Sequence, residues 1–195
     1  MSEKRVLEIL RTTDALLEGH FKYTSGRHGR EYFEKIRIVR EPRFVDELGS
    51  MMAVMMEDVR EGIDVVCAPA YGAVVFGYST ALHMGLSFAF LQRDRRARMS
   101  IRPGFLDLLK NSRVLLVEDV STTGGSIVES IEALERAGAE VVQVGLIVDR
   151  TAGKLDLGVP YRSLLSVEAV SWAADECPLC LKGVPVTAPG SSGKK

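Results

Sequence analysis

Residues 113–117 and 141–148 are short β-branched runs, apolar on both faces, and between them residues 125–137 carry Ile127, Ile131 and Leu134 at helical spacing. Gly138 stands where a glycine closes a helix. Strand, helix and strand in so short a span form a βαβ unit. A similar pattern precedes it, with residues 64–68 reading as a buried strand, 72–84 as a helix and 88–91 as a further strand. Two successive units predict an α/β fold: a central, mainly parallel sheet flanked by helices on both faces.

The flanking segments are less regular. Val6, Leu7, Ile9 and Leu10 recur at helical spacing, and Leu16 and Leu17 extend that apolar pattern past a break at residues 12–14. Residues 22–30 read as a loop or short hairpin, and 31–39 alternate as a strand. Pro42 sits at the first turn of a helix running to about residue 60, with Val45, Leu48, Met52 and Met55 on its apolar face. Residues 157–186 show no clear period and are expected to form an irregular subdomain over the sheet, followed by a polar tail at 188–195.

Composition excludes several classes. With 25 Lys and Arg against 26 Asp and Glu, the net charge is −1, without the basic excess that general nucleic-acid or membrane-surface binding needs. No apolar run approaches a membrane span, the first residues lack the order of a signal peptide, and three cysteines are too few for a disulfide framework. The expectation is one soluble cytoplasmic domain that binds neither nucleic acid nor membrane.

The chemistry is concentrated where the strand at 113–117 ends. Glu118 and Asp119 follow it directly, and Ser121, Thr122, Thr123, Gly124, Gly125 and Ser126 then open the helix. Ligands bind at the carboxyl ends of parallel strands, and a glycine-containing turn into a helix N-terminus offers backbone N–H groups to a phosphate. The acids cannot bind that phosphate, so they point to sugar hydroxyls or a cation beside it. A phosphorylated sugar satisfies both halves. The run lacks the Gly-Lys-Ser/Thr of a Walker loop and the Gly-x-Gly-x-x-Gly of a dinucleotide site.

Residues 117–126 resemble the phosphoribosyl-pyrophosphate (PRPP) signature of the type I phosphoribosyltransferases. Phe21-Lys22-Tyr23-Thr24-Ser25-Gly26-Arg27, Ala68-Pro69-Ala70-Tyr71-Gly72-Ala73, Asp149-Arg150, and Glu176-Cys177-Pro178-Leu179-Cys180 with Pro189-Gly190-Ser191 resemble the orotate phosphoribosyltransferases in particular. That resemblance spans roughly residues 16–191 and implies the type I phosphoribosyltransferase fold. Its core would be about 42–156, with a small hood formed by N- and C-terminal segments at about 1–40 and 157–187. It implies transfer of the phosphoribosyl group from PRPP to orotate in UMP biosynthesis. Glu118 and Asp119 would hold the ribose hydroxyls, and Thr122, Thr123, Gly124, Gly125 and Ser126 the 5-phosphate. Ala70, Tyr71 and Gly72 would present backbone amides to pyrophosphate, in this superfamily often through a non-proline cis peptide. Thr24, Ser25, Gly26 and Arg27, with Thr122 and Arg150, would meet orotate. Mg2+ is the implied cofactor, held mainly by PRPP itself with no protein ligand assigned.

One further feature is hidden by the average charge. Residues 92–102 contain Arg93, Arg95, Arg96, Arg98 and Arg102 against Asp94 alone. With Pro103 and Gly104 it reads as a loop, and its place before the acid-bearing strand suits a clamp on a polyanion. By the resemblance, Arg93, Arg96 and Arg98 together with Asp119 would be catalytic, the loop reaching the neighbouring site of a homodimer. The sequence departs from the family here: Gln92-Arg93, Arg96 and Arg98-Met99 stand where Arg-Lys, Lys and His-Gly are usual, and Gly72 stands where some members carry lysine. These departures leave two alternatives open, a PRPP-binding regulatory or non-catalytic paralogue and a transferase for another base. Cys177-x-x-Cys180 reads as half a zinc site or a redox pair on spacing, but no second cysteine pair or nearby histidine completes a metal shell unless a dimer supplies one, so structural cysteines are the preferred reading; His28 reads as a surface residue or substrate contact, and His83 as helix surface or packing.

Overall fold

The computed structural model describes residues 3–23, 25–168 and 170–188. The chain opens with α1 (Glu3–Thr12), the hairpin β1 (Leu16–Lys22) and β2 (His28–Phe33), the single turn α2 (Ile36–Val39), and α3 (Pro42–Met55). Next come β3 (Val65–Pro69), α4 (Val74–Met84), β4 (Ser87–Arg93), β5 (Met99–Ile101) and the turn α5 (Leu106–Leu109). The chain finishes with β6 (Arg113–Ser121), α6 (Gly125–Arg136), β7 (Glu140–Asp149), β8 (Tyr161–Ser166), β9 (Ser171–Trp172) and α7 (Pro178–Leu181).

Six strands form the main sheet in the order β5-β4-β3-β6-β7-β8. Every pairing is parallel except β4 with β5. Successive residues of β6 face opposite sides. Leu115 and Val117 join Val6, Leu48, Met52 and Phe76 beneath α1, α3 and α4, whereas Val114 and Leu116 join Ile127, Ile131 and Leu134 beneath α6. Both faces of the sheet are therefore covered, as its unbroken apolar strands require. The packing is close: a Cβ at Gly145 would overlap the Met52 sulfur, so glycine lets α3 lie against β7. A second, antiparallel sheet, β1-β2-β9, brings N- and C-terminal segments together.

Four sequence expectations are corrected. Leu16 and Leu17, read as continuing the apolar pattern beyond the break at 12–14, instead begin β1, because Asp14 turns the chain at a φ of 51°. The strand expected over 31–39 ends at Phe33 and gives way to α2. Residues 157–186 are not uniformly irregular, since β8 is the sixth strand of the main sheet, so that strand belongs to the core and not to a hood beginning at 157. The arginine-rich segment is a hairpin and not an open loop. Gln92 and Arg93 pair with Ser100 and Met99, and the Asp94 carboxylate accepts the N–H groups of Arg96 and Arg98 at 2.7 and 3.0 Å across the turn.

Candidate functional site

β6 carries the acid pair out of the centre of the sheet. Glu118, Asp119 and Ser126 line one cleft with residues 69–72, Lys35 and Arg93. The turn after β6 reaches α6 through Gly124, whose φ of 77° would strain any other residue. The first N–H groups of α6 have no acceptor within the helix and carry the positive end of its dipole. Thr122, Thr123 and Gly125 are exposed on this turn.

The two acids are held differently. Glu118 Oε2 accepts from the Ser126 hydroxyl at 2.9 Å and Oε1 from the Asp119 N–H at 3.1 Å. Burial first, then the adjacent Asp119 charge, pushes the Glu118 carboxyl up to about 7. Asp119 Oδ1 accepts from Lys35 Nζ at 2.7 Å and from the Val120 N–H at 2.6 Å. Burial works against the Lys35 ammonium, but the charge and hydrogen bond of Asp119 outweigh it and hold this lysine above its ordinary value. Asp119 Oδ2 is buried without a hydrogen-bond partner among the described residues. A buried acceptor in that state is costly, and a hydroxyl or a cation would satisfy it.

The turn after β3 closes against this acid. The Ala70–Tyr71 peptide is cis, the Ala70 N–H donates to the Leu91 carbonyl at 2.7 Å, and the Tyr71 side chain projects into solvent. A Cβ at position 72 would overlap Asp119 Oδ2 and crowd the end of Lys35, so only glycine lets the turn approach so closely. Lys35 is thus the cation beside the acid pair, and sequence reasoning missed it. Its only signal was a lone lysine after an aromatic pair, Tyr32-Phe33.

On the other side of β6, the Arg150 N–H donates to the Ser121 carbonyl at 2.9 Å, tying this arginine to the start of the 122–126 turn. Its guanidinium lies 5.2 Å from the Tyr23 ring centroid and 5.1 Å from that of Phe33, and donates to the Tyr23 hydroxyl at 3.2 Å. Its Nε is buried without a partner among the described residues. Tyr23 and Phe33 were not predicted site residues, although Tyr23 lies inside the quoted motif.

The other predicted residues fall as follows. Thr24 lies outside the described residues. Ser25, Gly26 and Arg27 form the β1–β2 turn, where the Arg27 guanidinium donates to the Ser171 hydroxyl and carbonyl at 2.9 and 2.6 Å. Arg93 reaches Glu129 at 2.7 Å and lines the cleft, Arg98 folds back on Asp94 at 3.0 Å, and Arg96 stands on the exposed hairpin turn. Cys177 and Cys180 lie apart from this cleft. Contrary to the sequence expectation, two histidines, His20 and His28, stand against them, and His28 is buried. His83 pairs with Asp46 at 2.9 Å.

Residues 37–180 match the phosphoribosyl transferase domain family. The orotate phosphoribosyltransferase of Chlorobium phaeobacteroides is 43% identical over 191 residues, covering 98% of this chain and 97% of that protein. The chain belongs to the orotate phosphoribosyltransferase family. The orotate phosphoribosyltransferase of Thermotoga maritima is 40% identical over 190 residues, covering 97% of this chain and all of that protein (100%). Among solved structures, that of Mycobacterium tuberculosis orotate phosphoribosyltransferase with inorganic phosphate gives a TM-score of 0.66 at 26% identity, over 85% of this chain and 95% of that one. The Aeropyrum pernix orotate phosphoribosyltransferase, 22% identical, shares the fold with a TM-score of 0.70 over 84% of this chain and 94% of that one. Tyr23, Phe33 and Lys35 precede the matched domain, yet the family relatives extend across them, so the hairpin wall belongs to the family match and is not an appendage. Among the described residues, no helix is long and apolar enough to cross a membrane.

Proposed function

We propose that this chain transfers the 5-phosphoribosyl group of PRPP to orotate, giving orotidine 5-phosphate and pyrophosphate for pyrimidine nucleotide synthesis. The observation that carries the acceptor is Arg150, whose buried guanidinium is framed by Tyr23 and Phe33 and whose backbone N–H donates to the Ser121 carbonyl just before the 122–126 turn. A planar fork with an unpartnered Nε suits an anionic planar base, which an uncharged base would not engage with equal strength.

In this reading the turn 122–126 holds the 5-phosphate, the acid pair accepts from the ribose hydroxyls, and the amides of 70–72 face the departing pyrophosphate. Charge develops on the leaving group while the sugar becomes cationic, so stabilisation falls to fixed donors on one side and carboxylates on the other. Lys35 and Arg93 place positive charge at the cleft. The unpartnered Asp119 oxygen and the hard oxygen donors beside it fit a divalent cation such as Mg2+, which PRPP would carry in and which would neutralise pyrophosphate charge. In this reading Arg96 and Arg98, which lie on an exposed turn, would serve a neighbouring subunit. A homodimer is further favoured by an apolar groove with Val45, Val75, Tyr78, Leu82 and Phe88 in its wall, where Tyr78 and Leu82 are exposed.

The deciding experiment follows orotate loss by ultraviolet absorbance with PRPP and Mg2+, beside adenine and uracil. Turnover of orotate well above the other bases is expected; PRPP binding by calorimetry without turnover of any base would leave only a binding protein. Arg150→Lys keeps the charge and loses the fork. It should raise the KM for orotate about tenfold while leaving PRPP affinity unchanged. Equal weakening of both substrates would place Arg150 outside the acceptor site.

A further inference from the structure

His20 on β1, His28 on β2 and Cys177 and Cys180 at α7 present four ligating atoms within 4.8 Å of one another. His20 Nε2 lies 3.0 Å from His28 Nδ1, 3.5 Å from Cys177 Sγ and 3.7 Å from Cys180 Sγ. Cys180 Sγ lies 3.2 Å from His28 Nδ1. The edges of a tetrahedral zinc shell with two sulfurs and two imidazole nitrogens are about 3.4–3.8 Å, so these atoms already stand near the corners of one.

Hydrogen bonding alone does not account for the arrangement. His20 Nδ1 donates to the Val184 carbonyl at 2.8 Å, which assigns the tautomer and leaves Nε2 with a single lone pair. Three groups converge on that lone pair, and only one can donate to it. A cation satisfies all four at once, and the Val184 carbonyl then plays the part that outer-shell acceptors play for metal-bound histidine. Cys177, His20 and His28 are buried, so the position is closed on three sides, as a structural site is. Two thiolates balance one divalent charge and leave nothing uncompensated inside the protein.

We propose that His20, His28, Cys177 and Cys180 bind a structural zinc ion. The ion fastens α7 to the β1–β2 hairpin, and the chain beyond α7 is joined to that hairpin by backbone bonds from Thr187 N–H to the His20 carbonyl (2.8 Å) and from Lys22 N–H to the Thr187 carbonyl (2.9 Å). His28 is the first residue of β2 after the 25–27 turn, so the metal fixes one end of that turn. The site stands whichever base the enzyme accepts.

Elemental analysis of the full chain, purified without a histidine tag and under reductant, should find zinc stoichiometric with protein and retained on dialysis. Cobalt replacement should give the visible bands of tetrahedral Co(II) with thiolate charge transfer in the near ultraviolet. His28→Gln and Cys180→Ser should each lower zinc affinity at least about tenfold, while Cys67→Ala, on β3, should keep it. Should a variant fail to fold, the cobalt spectrum of the unaltered protein decides alone. Metal-free protein that melts at the same temperature with and without added zinc, or a cobalt spectrum lacking thiolate bands, would overturn the site.

Discussion

Replacing Asp119 with asparagine should weaken PRPP binding about a hundredfold and leave the fold intact. Asp119 is 2% exposed, and one oxygen is already committed to Lys35 and to the Val120 N–H. Asparagine matches the carboxylate in size and can keep a carbonyl oxygen on those two donors. What it cannot keep is the acceptor at Oδ2, because its amide nitrogen would present a donor where a sugar hydroxyl or a cation must be met. Hydrogen bonds to charged groups contribute about 1.5–3 kcal/mol each, and loss of one such bond with reversal of its polarity accounts for the expected factor. Lys35 loses its ion partner but is 44% exposed at the side chain, so water takes over and stability changes little. Calorimetric titration with PRPP, beside a thermal melt, separates the outcomes. An unchanged dissociation constant in a folded variant would remove Asp119 from the sugar site.

The elements that carry this prediction were legible because their signals are local. β6, α6 and β7 are contiguous, and each holds its period within its own residues. The acid pair and the glycines follow from that placement. β8 was hidden because Tyr161-Arg162-Ser163-Leu164-Leu165-Ser166 is an edge strand, polar where it meets water, and so lacks the unbroken apolar run of its neighbours. The hairpin at 87–101 was hidden for another reason. Four arginines outweigh the one residue that folds the turn, Asp94, whose carboxylate takes over two backbone N–H groups. Lys35 enters the cleft, and Tyr23 and Phe33 come to frame Arg150, only through tertiary contacts, Lys35 reaching Asp119 across 84 positions and Arg150 reaching Tyr23 across 127. The convergence of His20 with Cys177 and Cys180 spans 157 and 160 positions, a separation at which no spacing rule operates.

Glu118 should show the opposite balance from Asp119: Glu118→Gln stabilises the free protein at alkaline pH and impairs the enzyme. Burial, then the Asp119 charge, raises this carboxyl from 4.5 to about 7 in the folded chain. Between those values the folded state holds a proton that the unfolded state has released, so stability falls as pH rises through the window. Above it the full cost is present, at most about 3 kcal/mol for such a shift. Glutamine is neutral at every pH and can still accept the Asp119 N–H through its amide oxygen. The Ser126 hydroxyl needs only to rotate to accept from the amide nitrogen. The melting temperatures of variant and parent should therefore coincide near pH 4.5 and separate to about 5–10 °C at pH 8, the variant higher. A gap that does not change with pH would show that the Glu118 charge carries no such penalty. The gain should be reversed in function, since a ribose hydroxyl that donates to a carboxylate finds a weaker acceptor in an amide. A buried charge that destabilises the empty protein and is relieved by a hydroxyl or cation gives substrate binding its stability readout: Mg2+ with PRPP should raise the melting temperature of the parent more than that of the variant at pH 8.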